Sequence, residues 1–461
     1  MSPDPLLQFL PCATQALEQE FASLPAFEPA LGEDPAAIAA ILDETARRLG
    51  DNYPYFHPLY AGQMLKPPHP VARAAYALAT KINPNNHALD GGRASSAMEV
   101  EAVREIAAMF GWQEYLGHLT SSGTFANLEA LWMAGQIAPE KRILASAQAH
   151  YTHQRISAVL RLAFTPVAAD CSGRMDVESL EDELRKGDVG TVVVTLGTTA
   201  IGAVDPLDQI LALRKKYGFR IHVDAAYGGY FGLIADALDE PARRAYQAIG
   251  HADSIVIDPH KHGLQPYGCG CVLFRDPAVG RYYKHDSPYT YFTSTQLHLG
   301  EISLECSRAG AAAVALWATQ RLLPLVPDGG FAQGLAKSHR AALELDRRLR
   351  ADSRFQPLVA NPPELDIVVW KLQADNPALA AQRAQKVFDA CATRDLHLAL
   401  VQLPGSWFEG ESDDSAPAKT ESAQSKSGLV TCLRSVLMKP EHEAWLDRIW
   451  DRFTAACAEV L

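Results

Sequence analysis

No stretch of this 461-residue chain approaches the ~20 consecutive apolar residues that a membrane-crossing helix needs, which excludes a bilayer-spanning role. The opening residues, Met1-Ser2-Pro3-Asp4-Pro5, hold no basic cluster running into an apolar segment, so no export signal is expected. Positive charge is also scarce: 42 Lys and Arg stand against 54 Asp and Glu, a net charge of −12. Nucleic acid and anionic membranes both favour a basic face, and neither is expected as a partner. Eight cysteines are scattered at positions 12, 171, 269, 271, 306, 391, 432 and 457, with no Cys-x-x-Cys pair among them. That spacing indicates neither a zinc ribbon nor a dithiol redox centre, and no metal site is expected. Cys269 and Cys271 flank Gly270 in a strand-like run and read as small buried thiols. A reduced, cytoplasmic chain is the expectation. No internal repeat is present, and the length allows more than one lobe.

Residues 1–70 read as a leader. Within it, Pro35 to Gly50 has Ile38, Ile41, Leu42, Ala46 and Leu49 at helical spacing. The following Tyr53-Pro54-Tyr55-Phe56-His57-Pro58-Leu59-Tyr60 carries four aromatics that a solvated linker would not need, so it should lie over another surface. From 71 to 320, helical stretches such as Leu207 to Tyr217 alternate with short apolar runs. These runs are Arg142-Ile143-Leu144-Ala145, Thr191 to Leu196, Ile221-His222-Val223 and Ser254-Ile255-Val256-Ile257. They lack alternation, as expected of strands covered on both faces, and predict a largely parallel sheet with crossover helices. Cys269 to Phe274 follows so closely that an antiparallel strand is expected. Residues 321–461 change pattern, to helices at Gly334 to Arg350 and Ala381 to Thr393 and separated strands at Leu365 to Leu372, Leu396 to Leu403 and Leu429 to Leu437. This predicts a smaller α+β domain, in which 409–428, with almost nothing to bury, reads as a mobile loop.

The chemistry sits at strand ends. Lys261, in Asp258-Pro259-His260-Lys261-His262-Gly263, directly follows the Ser254–Ile257 run. Asp224 closes the preceding one, in Asp224-Ala225-Ala226-Tyr227-Gly228-Gly229. A lysine and a carboxylate at neighbouring strand mouths suit pyridoxal 5′-phosphate: the amine bonds the aldehyde and the acid keeps the ring nitrogen protonated. Ser121-Ser122-Gly123-Thr124 opens a helix, where free N–H groups make either a phosphate cradle or an ordinary Ser cap. His150 closes the next strand and reads either as a ring-stacking imidazole or as a satisfied structural histidine. Gly197-Thr198-Thr199 ends a third strand at the same level, the plain alternative being a turn. Ligands collect at this edge of an open α/β sheet, and the joint occurrence favours the functional readings.

The order Ser-Ser-Gly-Thr-x-Ala-Asn, Ala-His-Tyr, Thr-x-Gly-Thr-Thr, His-Val-Asp-Ala-Ala-Tyr-Gly-Gly and Asp-Pro-His-Lys resembles the group II pyridoxal-phosphate amino-acid decarboxylases. The likeness runs from His57-Pro58 to Leu433-Arg434. It implies fold type I, with a mostly parallel seven-stranded sheet in the large domain, and a homodimer in which the leader packs on the partner. It implies that Lys261 carries the coenzyme as a Schiff base and that Asp224 pairs with the pyridinium. His150 would stack on the ring, with Ala226 on the opposite face. Gly123, Thr124 and His260 would hold the phosphate, and Thr199 would sit near the ring substituents. The implied reaction is decarboxylation of an L-amino acid to its amine and CO₂. The alternatives are a carbon–carbon lyase, an aldehyde-forming relative, or a non-catalytic coenzyme-binding homologue.

Two positions depart from the family pattern. No tyrosine falls at the spacing expected of the Cα proton donor, which leaves Tyr291, with Tyr289 second. Asp258 stands where several relatives have asparagine, and as an acid beside a phosphate it should be satisfied by backbone N–H groups. Arg434 reads either as an active-site arginine or as a surface residue on an edge strand. The Tyr53–Tyr60 loop leans the substrate towards aromatic amino acids, with acidic ones close behind.

Overall fold

The structure is a computed structural model that describes the chain apart from residues 1–4, 29, 31, 33, 89–90, 285–301, 359–361 and 409–427. Tyr289, Tyr291 and residues 409–427 of the expected loop therefore lie outside the described residues.

Four helices lead in: α1 (Pro5–Glu20), α2 (Pro35–Leu49), α3 (Pro70–Thr80) and α4 (Arg93–Met109). Asp34 fixes the start of α2 by accepting from Ala36 N at 2.9 Å and Ala37 N at 3.3 Å, with Pro35 in the first turn where no donor is needed. The alternating region then runs β1 (Leu116–Thr120), α5 (Gly123–Ile137), β2 (Arg142–Ser146), α6 (Thr152–Val159), β3 (Phe164–Val167), α7 (Val177–Arg185), β4 (Val189–Thr195), α8 (Leu207–Tyr217), β5 (Arg220–Asp224), α9 (Glu240–Ala248), β6 (Ser254–Ile257) and β7 (Gly270–Phe274). These strands form one seven-stranded sheet in the order β1-β7-β6-β5-β4-β2-β3. Pairing is parallel from β6 through β5, β4 and β2 to β3, while β7 runs antiparallel to both β6 and β1. The central strands are buried on both faces, the physical reason their sequences show no alternation. Strands β1 and β3 escaped the sequence reading: β1 is interrupted by Gly117 and His118, and β3 holds Pro166 at the sheet edge.

Beyond α10 (Gly310–Leu322) and α11 (Gly330–Arg350) comes a second sheet. Its elements are β8 (Phe355–Pro357), β9 (Ile367–Leu372), α12 (Pro377–Ala392), β10 (Ala399–Pro404), β11 (Leu429–Val436) and α13 (His442–Val460). The order is β10-β11-β9-β8, antiparallel throughout. Trp370, Val387, Leu433 and Phe453 join strands and helices in a separate apolar core. The Tyr53–Tyr60 loop rests on this part of the molecule: Tyr53 packs 4.8 Å from the His397 ring and Ala61 N donates to His397 O at 2.9 Å. Among the described residues, no helix is long and apolar enough to cross a membrane.

Candidate active site

The carboxyl ends of β4, β5 and β6 and the start of α5 converge. At α5, Ser122 accepts from Phe125 N at 3.3 Å, leaving the first-turn N–H groups of Gly123 and Thr124 without intrahelical acceptors. Gly123 is required by its neighbour: a Cβ there would lie 2.5 and 2.6 Å from the two Asp258 carboxylate oxygens. The Asp224 motif needs glycine for a similar reason, because a Cβ on Gly228 would meet the Leu196 carbonyl oxygen at 2.3 Å.

Asp224 ends β5 buried, at 4 % exposure, and its oxygens are engaged. His153 Nε2 lies 2.7 Å from Oδ2, Asn127 Nδ2 donates to the same oxygen at 3.4 Å, and Ala226 N donates to Oδ1 at 3.1 Å. Burial alone would push this carboxyl up; the His153 hydrogen bond and the nearby charge of Lys261 outweigh it and hold Asp224 below the usual carboxylate range. Asn127 is oriented in turn, its Oδ1 2.8 Å from His222 Nε2, and His222 Nδ1 faces Ser254 Oγ at 2.9 Å. Burial drives His222 down to about 3, so it is a neutral ring.

Lys261 lies in the β6–β7 connection, its Nζ 3.0 Å from Asp258 Oδ2 and its side chain 23 % exposed. His260 Nε2 stands 3.6 Å from the same oxygen. Asp258 Oδ1 has no hydrogen-bond partner, so the expectation that backbone N–H groups satisfy this acid is corrected: its neighbours are the side chains of Lys261 and His260. His150 is half-buried with Nδ1 2.8 Å from Thr152 Oγ1. Burial lowers its pKa, and Asp224, Lys261 and Asp258 all act on it electrostatically, which puts the four groups in one neighbourhood. Ala226 is buried beside Asp224, while Thr124 and Thr199 are exposed at the rim.

Arg434 is not on an edge. It lies on β11, an interior strand, and is buried. Its Nε donates to Ala200 O at 2.9 Å, Nη2 to Thr199 O at 2.7 Å, and Nη1 to Gln63 Oε1 at 3.1 Å and Gly62 O at 3.4 Å. It thus fixes the turn after β4 against the leader. Tyr227 makes a second tie, donating its hydroxyl to Asp366 Oδ1, just before β9, at 2.5 Å.

Sequence reasoning assigned no role to His153, Asn127 or His222. Asn127 and His222 lay inside quoted motifs, and His153, in the first turn of α6, lay three residues past His150 with no signal of its own. The residues present fit pyridoxal phosphate. A glycine-lined helix start with open N–H groups suits a phosphate, the partly exposed amine of Lys261 suits an aldehyde, and an anionic buried carboxylate suits a protonated ring nitrogen.

Residues 23–373 match the family model described as the pyridoxal-dependent decarboxylase conserved domain. The chain is 26% identical over 540 aligned residues to an L-tyrosine decarboxylase of Enterococcus faecium, covering 91% of this chain and 88% of that protein. It is 31% identical over 375 residues to an L-2,4-diaminobutyrate decarboxylase of Rhizobium meliloti, covering 76% and 72%. Among solved structures it shares its fold with mouse CSAD, at a TM-score of 0.77, 20% identity and 98% coverage of both chains. It shares it also with Oryza sativa TDC with PLP and tryptamine, at a TM-score of 0.77, 15% identity and coverage of 99% and 96%. The matched span takes in Gly123, Asp224 and Lys261 together, and the chain belongs to the pyridoxal-dependent decarboxylase family, as a carboxy-lyase whose coenzyme is pyridoxal phosphate.

Proposed function

We propose that this protein converts an L-amino acid to its amine and CO₂, with Lys261 carrying the coenzyme as a Schiff base. The observation that carries the reading is the meeting of Asp224 and Lys261, at the ends of adjacent parallel strands, beside the open start of α5. Bound there, the coenzyme supplies an electron sink for the pair left on Cα as CO₂ departs. The side chains divide the remaining work. Gly123, Thr124 and His260 would hold the phosphate, by helix-end N–H groups and an imidazole. Asp224 would keep the ring nitrogen protonated, Ala226 and His150 would flank the ring, and Thr199 would face its edge. Asp258, 3.0 Å from Lys261 Nζ, would receive the ammonium when the lysine is displaced by the substrate amine. Arg434 spends its donors on carbonyl and amide oxygens, so it supports Thr199 and Gln63 rather than grasping a substrate carboxylate. Tyr291, with Tyr289 second, remains the proposed Cα proton donor.

Aromatic amino acids are the proposed substrates, ahead of acidic ones. The relatives named L-tyrosine decarboxylase, and the probable L-tyrosine/L-aspartate decarboxylase of Methanothermobacter thermautotrophicus, support that order. We further propose a leader (1–70), a coenzyme-binding domain (71–320) and a small domain (321–461), paired as a homodimer through the leader. Leu7, Phe27, Ile41, Leu42 and Leu49 are each more than 60 % exposed in the single chain, a face that a second copy would cover. All eight cysteines are free, in keeping with a cytoplasmic setting. The test is a screen of the common L-amino acids for CO₂ release with products identified by mass. The purified protein should also show an absorbance band near ~420 nm that Lys261→Ala abolishes. A folded, colourless protein that releases no CO₂ from any of them would refute the reading.

A further inference from the structure

We propose that His153 is a positioning residue for this reaction: its Nε2–H keeps the Asp224 carboxylate ionised and oriented, so that the shared proton stays on the coenzyme's ring nitrogen. The inference rests on the reading that Asp224 faces that nitrogen. His153 Nε2 lies 2.7 Å from Asp224 Oδ2, with side-chain exposures of only 1 % and 6 %. The opposite ring nitrogen, Nδ1, has no partner. A carboxylate can only accept, so Nε2 carries a proton.

The rest of the network points the same way. Ser254 Oγ–H is placed to donate to His222 Nδ1, His222 Nε2–H to Asn127 Oδ1, and Asn127 Nδ2–H to Asp224 Oδ2. Ala226 N–H serves Oδ1. Donors thus reach Asp224 from α5, α6 and its own strand end, while the charge of Lys261 acts on Asp224 and that of Arg220 on His222. Of these donors His153 makes the shortest contact. Each one lowers the basicity of the acid, and a less basic acid leaves the proton on the pyridine nitrogen, where the electron sink needs it.

Two variants separate this from a packing role. His153→Leu removes the donor. His153→Gln keeps an N–H at nearly the same reach. Each holoenzyme is titrated spectroscopically, following the pH at which the bound coenzyme changes its ~420 nm band, alongside kcat, KM and coenzyme retention. A neutral ring nitrogen withdraws less charge from the lysine-linked imine. The leucine protein should therefore show its transition shifted up by about one pH unit, kcat reduced by roughly ten-fold and KM little changed, with the glutamine protein close to wild type. A leucine protein with the wild-type transition and kcat overturns the assignment. Should it not fold, the glutamine protein decides: a transition displaced by a full unit despite the retained donor overturns it, and a wild-type transition upholds it. Wild-type protein that binds no coenzyme would defeat the parent reading and this one together, whereas a normal wild type beside an unaltered leucine variant defeats this one alone.

Discussion

The end of β5 and the middle of β11 bury charge to the same depth and spend it differently. Asp224 and Arg434 are each 4 % exposed. Arg434 directs four of its five N–H donors at Thr199, Ala200, Gly62 and Gln63, which makes it a clamp between two parts of the chain. Around Asp224 the donors are two side chains from separate elements and the Ala226 backbone N–H. The neighbouring Asp258 keeps one oxygen bare, and Lys261 keeps part of its surface open. Equal burial thus accompanies two different hydrogen-bonding arrangements, one closed mainly on the backbone and one shared among side chains of the candidate site.

Four substitutions test that contrast. Lys261→Ala should have the largest effect, a loss of turnover of at least about 10³-fold measured as amine formed, with the melting temperature of the apoprotein little altered. Arg434→Met should act in the opposite way. Stripping its partners of their donors should cost about 2–4 kcal/mol in urea unfolding, with catalysis in the surviving fold falling only as far as Thr199 is displaced. A raised KM at unchanged stability would instead make Arg434 a substrate anchor and dissolve the contrast. Gly123→Ala should weaken coenzyme retention by roughly ten-fold, because the new methyl must push Asp258 aside, read by gel filtration of the holoenzyme. The smallest effect concerns pH in the small lobe. His442 is buried, with Nδ1 accepting from Lys439 N at 3.2 Å, and burial drives it down to about 3. Its folded pKa is lower than the ordinary value near 6.5, so the unfolded chain takes up a proton first. The stability it contributes is complete above ~6.5 and is lost as pH falls towards about 3. Between pH 6 and 5 the wild type should lose about 1 kcal/mol more than His442→Gln, measured by denaturant titration.

The large sheet was legible because its central strands are buried on both faces and so write themselves as uninterrupted Val and Ile runs. The antiparallel turn-back of β7 followed from the shortness of its connection. Edge strands were not legible: β3 carries Pro166, and β1 carries His118, whose polarity is absorbed by Glu129 at 2.9 Å, on the helix α5 that follows it. The candidate site was legible in its scaffold, since β5, ending at Asp224, and β6, leading to Lys261, pair in parallel as their unbroken apolar runs implied. It was illegible where a residue serves through a partner from another element. His153 looks like any helical histidine until α6 is laid against β5, and Arg434 looks like a surface cation until β11 is sandwiched between β9 and β10.

One detail of the sheet bears on how such a protein can be altered. The segment holding Lys261 leaves β6 and re-enters the same sheet through β7, and His260 N donates to Cys269 O at 3.1 Å, Gln265 N to Pro259 O at 3.1 Å and Lys261 N to Asp258 O at 2.9 Å. It is a hairpin cassette braced from within and tied to its surroundings, by His69 N donating to Leu264 O at 2.9 Å and Gln265 Nε2 to Thr319 Oγ1 of α10 at 2.9 Å. Changes to α10 or to the start of α3 would therefore be transmitted to the proposed nucleophile, so what enters the cleft is best altered through elements that do not touch this cassette.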